Sequence, residues 1–137
     1  MIPKILYEEG YFNAFLGDMS ISVTEMFRNP EVFKFIREQV IAKLRTYSRI
    51  NIWNVGCATG EEAYSMAILL EEEGLLDKVH IYATDYDNQA LEAARKGIYR
   101  VNVMQQYTDN YLKAGGQKSF SDYYQARYEL VKIKSSL

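Results

Sequence analysis

Ile50-Asn51-Ile52-Trp53-Asn54-Val55-Gly56-Cys57-Ala58-Thr59-Gly60-Glu61-Glu62 is the stretch from which the fold is read. The run Ile50–Val55 is rich in β-branched and aromatic side chains and predicts a buried or half-buried strand. A glycine-containing turn follows. Tyr64, Met66, Ala67, Leu69 and Leu70 then fit one buried face of a helix from about Gly60 to Glu73, with Gly74 as its stop. Glycines in such a turn let backbone approach a ligand closely, and the helix N-terminus offers free amides and partial positive charge. On spacing alone the turn could hold phosphate, a nucleotide or nothing. It reads G-x-x-x-G, with Ala58 inside, and is not the dinucleotide pattern G-x-G-x-x-G.

Outward from this stretch, Val79–Thr84 predicts a second strand closed by Asp85. A helix is expected over Asn88–Lys96, with Leu91 and Ala94 inward and Gly97 as its stop. Upstream, Asn29-Pro30 marks a helix start, Asn29 as the cap and Pro30 in the first turn. Phe33, Ile36, Val40 and Leu44 give its buried stripe, and it should end near Tyr47. Residues 1–20 predict a short helix or irregular lead-in, and residues 101–113 a further helix. Gly115-Gly116 breaks the chain, and Ala126–Ile133 alternates loosely as a strand. Glu71-Glu72-Glu73 reads as a solvated helix end without a functional role. Strand-helix-strand-helix order argues an α/β sheet with right-handed crossovers.

The 137 residues suffice for one domain with a real core. A net charge of −2 gives no basic face for nucleic acid. With one cysteine and one histidine, neither an intrachain disulfide nor a zinc site is expected, and no metal is assigned. No apolar run approaches the roughly 20 residues of a membrane span. The N-terminus carries no cleavable signal pattern, so a reduced, cytoplasmic setting is expected. The 12 tyrosines read as packing groups with a polar tip. Cys57 reads as a buried filler, Tyr64 and Trp53 as core, and His80 as a strand residue at or near the surface.

Asp85 stands about 25 residues past Gly60, at the end of the second strand. An acid there accepts hydrogen bonds from ribose hydroxyls in doubly wound sheets. Taken alone, Asp85 or Asp87 is as well explained as the cap of the next helix. Taken with the glycine turn, the ligand reading is the better one. Glu61 and Glu62 suit the helix dipole, but they would repel a phosphate on the same amides. Two carboxylates beside the loop suit a cation, and S-adenosylmethionine carries a sulfonium and an ammonium with no phosphate.

The run Asn54–Ser65, with its G-C-A-T-G-E-E core, resembles the cofactor loop of the CheR-type chemoreceptor methyltransferases. Ala83-Thr84-Asp85-Tyr86-Asp87 resembles that family's second-strand acid, and Gly97-Ile98-Tyr99 its sequel. Ser22-Val23-Thr24-Glu25-Met26-Phe27-Arg28 is similar to the family's T-x-F-F-R segment, with Met26 where Phe is frequent. The match covers roughly residues 18–100 and extends more weakly to the end. The resemblance implies methyl transfer from S-adenosylmethionine to glutamate carboxylates of bacterial chemoreceptors, leaving S-adenosylhomocysteine. It implies that Asp85 takes the ribose hydroxyls and that Glu61 faces the cationic end of the cofactor. Thr24 and Arg28 reach over the cofactor, Ser22 is a further contact of that segment, and Gly56 and Gly60 shape the loop. Arg28 is the candidate to orient a carboxylate through its planar fork. Its alternative is a surface arginine, or an ion pair with Glu25 or Glu61.

Family members continue with a segment containing N-L and a later strand C-R-N-V-x-I-Y-F, neither of which occurs here. The expected fold is therefore an incomplete class I (Rossmann-like) α/β methyltransferase fold. It would hold only the first strands and helices, preceded by a helical segment. Residues 1–47 are expected to be helical lead-in and linker. Residues 48–137 would be the N-terminal half of the cofactor-binding domain with the start of a β-subdomain. Such a sheet leaves apolar edge and face exposed, to be covered by self-association, strand exchange or a partner chain. The competing function is a non-catalytic module that binds the cofactor, its product or the receptor.

Overall fold

A computed structural model of the chain describes residues 7–8, 10–12, 14–15 and 24–137. Ser22 and much of the lead-in expected over 1–20 lie outside the described residues.

Helix α1 (Pro30–Phe35) starts with Pro30 in its first turn, as expected. Asn29 does not cap it through its side chain. Its backbone is left-handed, at φ 55°, and only its carbonyl accepts, from the Val32 amide at 2.9 Å. The single helix expected to reach Tyr47 passes through a π-helical segment (Ile36–Val40) into α2 (Ile41–Leu44). A π turn inserts an extra residue and rotates the remainder of the helix about its axis. The fully buried positions become Phe33 and Ile41, and Arg37 turns toward the chain's acidic run.

Strand β1 (Ile50–Val55) leads through helix α3 (Glu61–Glu72) and a short turn of 3-10 helix (Leu76–Lys78) to β2 (Val79–Thr84). β1 and β2 pair in parallel from Ile50 against Val79 to Val55 against Thr84. Helix α4 (Asn88–Lys96) follows and ends on Gly97, at φ 57°. These spans match the sequence reading closely, because glycine stops and apolar periodicity are local signals. Strand β3 (Ile98–Arg100) was not anticipated. Helix α5 (Met104–Lys113) comes next, within the helix expected over 101–113. The strand expected over Ala126–Ile133 is divided in two. β4 (Tyr124–Arg127) and β5 (Leu130–Ile133) form a hairpin whose turn contains Tyr128 at φ 55°. β5 lies between β3 and β4, antiparallel to both. The architecture is mixed α/β with two small sheets.

Phe27 lies at the centre of an aromatic core. Its ring meets Phe33 at 5.1 Å and Tyr111 at 5.3 Å, both edge-on, a geometry that aligns ring edge with ring face. Met26, Ile68, Leu69, Leu70 and Val131 are also fully enclosed. Tyr99, Tyr107, Tyr111 and Tyr123 are buried with hydrogen-bonded hydroxyls, the expected packing role with a satisfied tip.

Two expectations are overturned by the packing. Glu71-Glu72-Glu73 is not a solvated end. The Glu72 side chain is fully enclosed and accepts from Tyr111 Oη, from Tyr123 Oη at 2.8 Å and from Arg37 at 2.7 Å. Glu73 bridges Arg37 at 3.1 Å and Arg45 at 2.8 Å. Cations from the preceding helices cancel the acids' unfavourable position at a helix C-terminus. Trp53, read as core, is 69% exposed. It lies with Val55 and Tyr82 on the sheet face that no described helix covers, its indole N–H donating to Thr84 Oγ1 at 3.0 Å. Among the described residues, no helix is long and apolar enough to cross a membrane.

Candidate functional site

The loop between β1 and α3 is tied down by its neighbours in the sheet. Gly56 turns the chain at φ 68°, and a Cβ there would meet open space. The Cys57 amide donates to Thr84 O at 2.9 Å, and the Ala58 amide to Asp85 Oδ2 at 2.8 Å. The Gly60 amide closes the turn onto Cys57 O at 2.9 Å. Gly60 itself sits at φ 94°, where an added Cβ would lie 2.9 Å from Ala94 Cβ. Glycine there permits both the left-handed backbone and the close approach of α4.

Asp85 Oδ1 accepts from the Asp87 amide at 2.9 Å, so each carboxylate oxygen already holds one backbone N–H. The cap of α4 is Asp87, which accepts from the Gln89 and Ala90 amides. The capping alternative for Asp85 thus falls to its neighbour. Asp85 clamps the glycine loop to the end of β2 and keeps further lone pairs for a ligand hydroxyl.

Glu61 and Glu62, adjacent in sequence, part ways. Glu62 is exposed, accepting from Asn54 Nδ2 at 2.6 Å. Glu61 is only 5% exposed. It accepts from Thr59 Oγ1 at 2.6 Å and, in a longer contact of 3.4 Å, from Tyr107 Oη. Burial pushes its carboxyl above the ordinary carboxylate range, against the lowering effect of the Thr59 and Tyr107 hydrogen bonds. It forms no ion pair with any described residue. A buried carboxylate held by hydroxyls is costly to keep charged, and a cation placed beside it would offset that cost.

Thr24 is half-buried and Arg28 exposed, on either side of enclosed Met26 and Phe27. The Phe27 amide donates to Ser65 Oγ at 2.8 Å, and Ser65 Oγ donates to Glu61 O at 2.7 Å. This pair of bonds brings the Thr24–Arg28 segment against the first turn of α3. Asn110 adds a second tie, its Nδ2 donating to Met26 O at 3.1 Å. Sequence reasoning missed Ser65, Tyr107 and Asn110. The available signals were a serine on the apolar face of α3, and an Asn spaced three residues from a Tyr on α5.

Burial, followed by the charge of Asp85, pushes the Cys57 thiol upward, which fits a filler rather than a nucleophile. A cavity of about 400 Å³ opens between α3, β2 and α4. It reaches Asp85 and Gly60, and its walls include Ala63, Tyr64, Ile81, Leu91 and Arg95. Glu61, Thr24 and Arg28 do not line it, so it is not the place where the site residues converge.

A parallel strand pair, a glycine loop clamped by a second-strand acid and a buried acid on the following helix define an α/β cofactor-binding domain. Residues 22–134 match the family model described as CheR methyltransferase, SAM binding domain, and the chain belongs to that family. It is 46% identical over 134 residues to a Pseudomonas putida protein named "Putative methyltransferase Cher3", covering 98% of this chain and 49% of that protein. It is 33% identical over 101 residues to chemotaxis protein methyltransferase 2 of Pseudomonas aeruginosa, covering 72% of this chain and 36% of that protein. With the chemotaxis protein methyltransferase of Salmonella typhimurium it shares 32% identity over 95 residues, 68% of this chain and 32% of that protein. The chain therefore spans about half the length of the first of these relatives and about a third of the others. S-adenosylmethionine is the cofactor of this family's domain. The residues present fit it: Glu61 offers a buried carboxylate to a cation, and Gly56 leaves the loop surface open.

Proposed function

We propose that this chain is the N-terminal half of the cofactor-binding domain of a protein-glutamate O-methyltransferase acting on bacterial chemoreceptors in the cytoplasm. The fold would be the first part of a class I, Rossmann-like methyltransferase domain over 48–137, ending in the start of a β-subdomain. Residues 1–47 would be helical lead-in and linker. The observation that carries the reading is the buried Glu61 carboxylate, at the start of the helix that follows the loop clamped by Asp85. The likeness to proteins named chemotaxis protein methyltransferases supports a protein acceptor in chemotaxis.

In this reading Asp85 accepts from the ribose hydroxyls with the lone pairs its backbone bonds leave free. Glu61 takes the cationic amino-acid end of the cofactor. Gly56 and Gly60 keep the loop low enough for close approach. Ser22 and Thr24 contribute from the preceding segment, and Arg28 orients the acceptor carboxylate. The cofactor supplies a methyl group activated by its sulfonium. A glutamate carboxylate is ionised near pH 7 and needs no base. The protein's contribution is alignment and exclusion of water.

Calorimetry with S-adenosylhomocysteine tests the cofactor half of the proposal. A radiolabelled methyl assay on receptor-containing membranes, using the full-length protein, tests the acceptor. Appearance of base-labile methyl ester supports the carboxylate assignment, and its absence with active cofactor binding overturns it.

The open face bearing Trp53, Val55 and Tyr82 favours a second reading for the isolated chain, that of a binding module without turnover. Parallel sheets are ordinarily covered on both faces. The isolated chain would cover this one by self-association or with a partner chain. Size-exclusion chromatography decides, since a compact monomer contradicts that covering.

A further inference from the structure

We infer that Ser65 and Asn110 are positioning residues for Arg28, fixing the backbone from which it reaches the acceptor. The inference rests on the function proposed above and extends it to residues that touch neither cofactor nor acceptor.

Ser65 is fully enclosed on a helix face it shares with the equally enclosed Ile68 and Leu69. Packing there asks for no hydroxyl. A serine inside a helix commonly turns its hydroxyl to the carbonyl one turn back, and Ser65 does so with Glu61 O at 2.7 Å. The oxygen then has acceptor capacity left, and it takes the Phe27 amide at 2.8 Å, from a residue 38 positions earlier. Without the hydroxyl that amide would be a buried donor with no partner.

Asn110 is 6% exposed on α5. Its Nδ2 donates to Met26 O at 3.1 Å and to Glu25 Oε2 at 3.3 Å, while its Oδ1 accepts from Gln106 at 2.9 Å. Glu25, Met26 and Phe27 are thus each held by a distant element just before Arg28.

The backbone they hold is not one the chain adopts unaided. Phe27 lies at φ 53° and Asn29 at φ 55°, left-handed residues on both sides of Arg28. Such a conformation in a phenylalanine is an outlier and persists only where surrounding contacts over-determine it. The Ser65 and Asn110 bonds, with the edge-on packing of the Phe27 ring, are those contacts. The Ser65 hydroxyl meets Glu61 only at its backbone carbonyl, so the Glu61 carboxylate keeps its Thr59 and Tyr107 partners when that hydroxyl is removed.

The test is a pair of double-mutant cycles in the full-length protein. Ser65→Ala and Asn110→Ala are made alone and on Arg28→Ala. The kcat of methyl transfer and the calorimetric affinity for S-adenosylhomocysteine are measured for each. Each single variant is expected to lower kcat about tenfold while changing that affinity less than about threefold, as misplacement of an orienting group does. On Arg28→Ala the same substitutions are expected to change kcat less than about twofold. Equal factors in both backgrounds would reveal a merely structural role and overturn the inference. Should Ser65→Ala not fold, the Asn110 cycle decides by the same criterion. If the unmutated protein binds S-adenosylhomocysteine but the effects add, only this inference fails. If it binds none, the proposed function fails and this inference falls with it.

Discussion

The two ends of helix α3 carry acids that sequence does not distinguish, and the molecule treats them in opposite ways. Glu61 at the N-terminal end is buried without a cation among the described residues, held by hydroxyls, and its carboxyl is pushed upward by burial. Glu72 at the C-terminal end is buried with Arg37 at 2.7 Å and two tyrosine hydroxyls. Burial raises its carboxyl too, but those hydrogen bonds outweigh it, and the net shift is downward. One acid is satisfied by the protein, and the other has room for a charge from outside. A buried carboxylate with all its partners supports structure, whereas Glu61, held by hydroxyls among the described residues, is the candidate cofactor acid of the function proposed above.

The sharpest way to break this contrast is at the satisfied end. Glu72→Ala leaves the nearly buried Arg37 short of a counter-charge and strands two phenols. Urea denaturation is expected to show a loss of about 3 kcal/mol. A loss below about 1 kcal/mol would mean that Glu73 alone satisfies Arg37. Gly60→Ala comes next, since its Cβ meets Ala94 at 2.9 Å on a left-handed backbone. It is expected to cost about 2 kcal/mol in the same measurement.

Glu61→Gln tests the unsatisfied end. Calorimetry is expected to show S-adenosylmethionine binding about tenfold more weakly, near 1.4 kcal/mol, with folding stability unchanged or slightly raised. An equal loss of stability would erase the distinction between the two acids.

The pH dependences of the two acids have opposite signs. Glu72 has a lowered folded-state value, so its stabilisation is present above the ordinary 4.5 and is lost as pH falls through the lower folded value. Glu61 has a raised folded-state value, so its contribution to stability is largest below the ordinary 4.5 and declines as pH rises through the raised one. Affinity for the cationic cofactor should climb across that same upper window, as Glu61 ionises. The smallest effect is expected on the open sheet face. Val55→Thr should change monomer stability by less than about 0.5 kcal/mol while weakening any self-association seen by size exclusion.

Much of the framework is legible in the sequence alone. The limits of β1, α3, β2 and α4 followed from apolar spacing and from Gly74 and Gly97 as stops, because these signals act over a few residues. The same holds for the loop and for the place of Asp85 at the end of β2. The π segment, the division of the last strand at Tyr128 and the exposure of Trp53 were not readable. Each depends on what the rest of the chain covers or leaves open.

By itself, then, the sequence determined a strand, a glycine turn, a helix with acids at both ends, and the family to which this order belongs. Tertiary structure alone decided which acid is which. Arg37, Tyr111 and Tyr123 converge on Glu72 from 35 to 51 residues away, while among the described residues Thr59 and Tyr107 are the side chains that hydrogen-bond the Glu61 carboxylate. Local pattern specifies what a helix is made of. The desolvation and pairing of a charge depend on neighbours brought together only by folding, and no spacing rule carries that information.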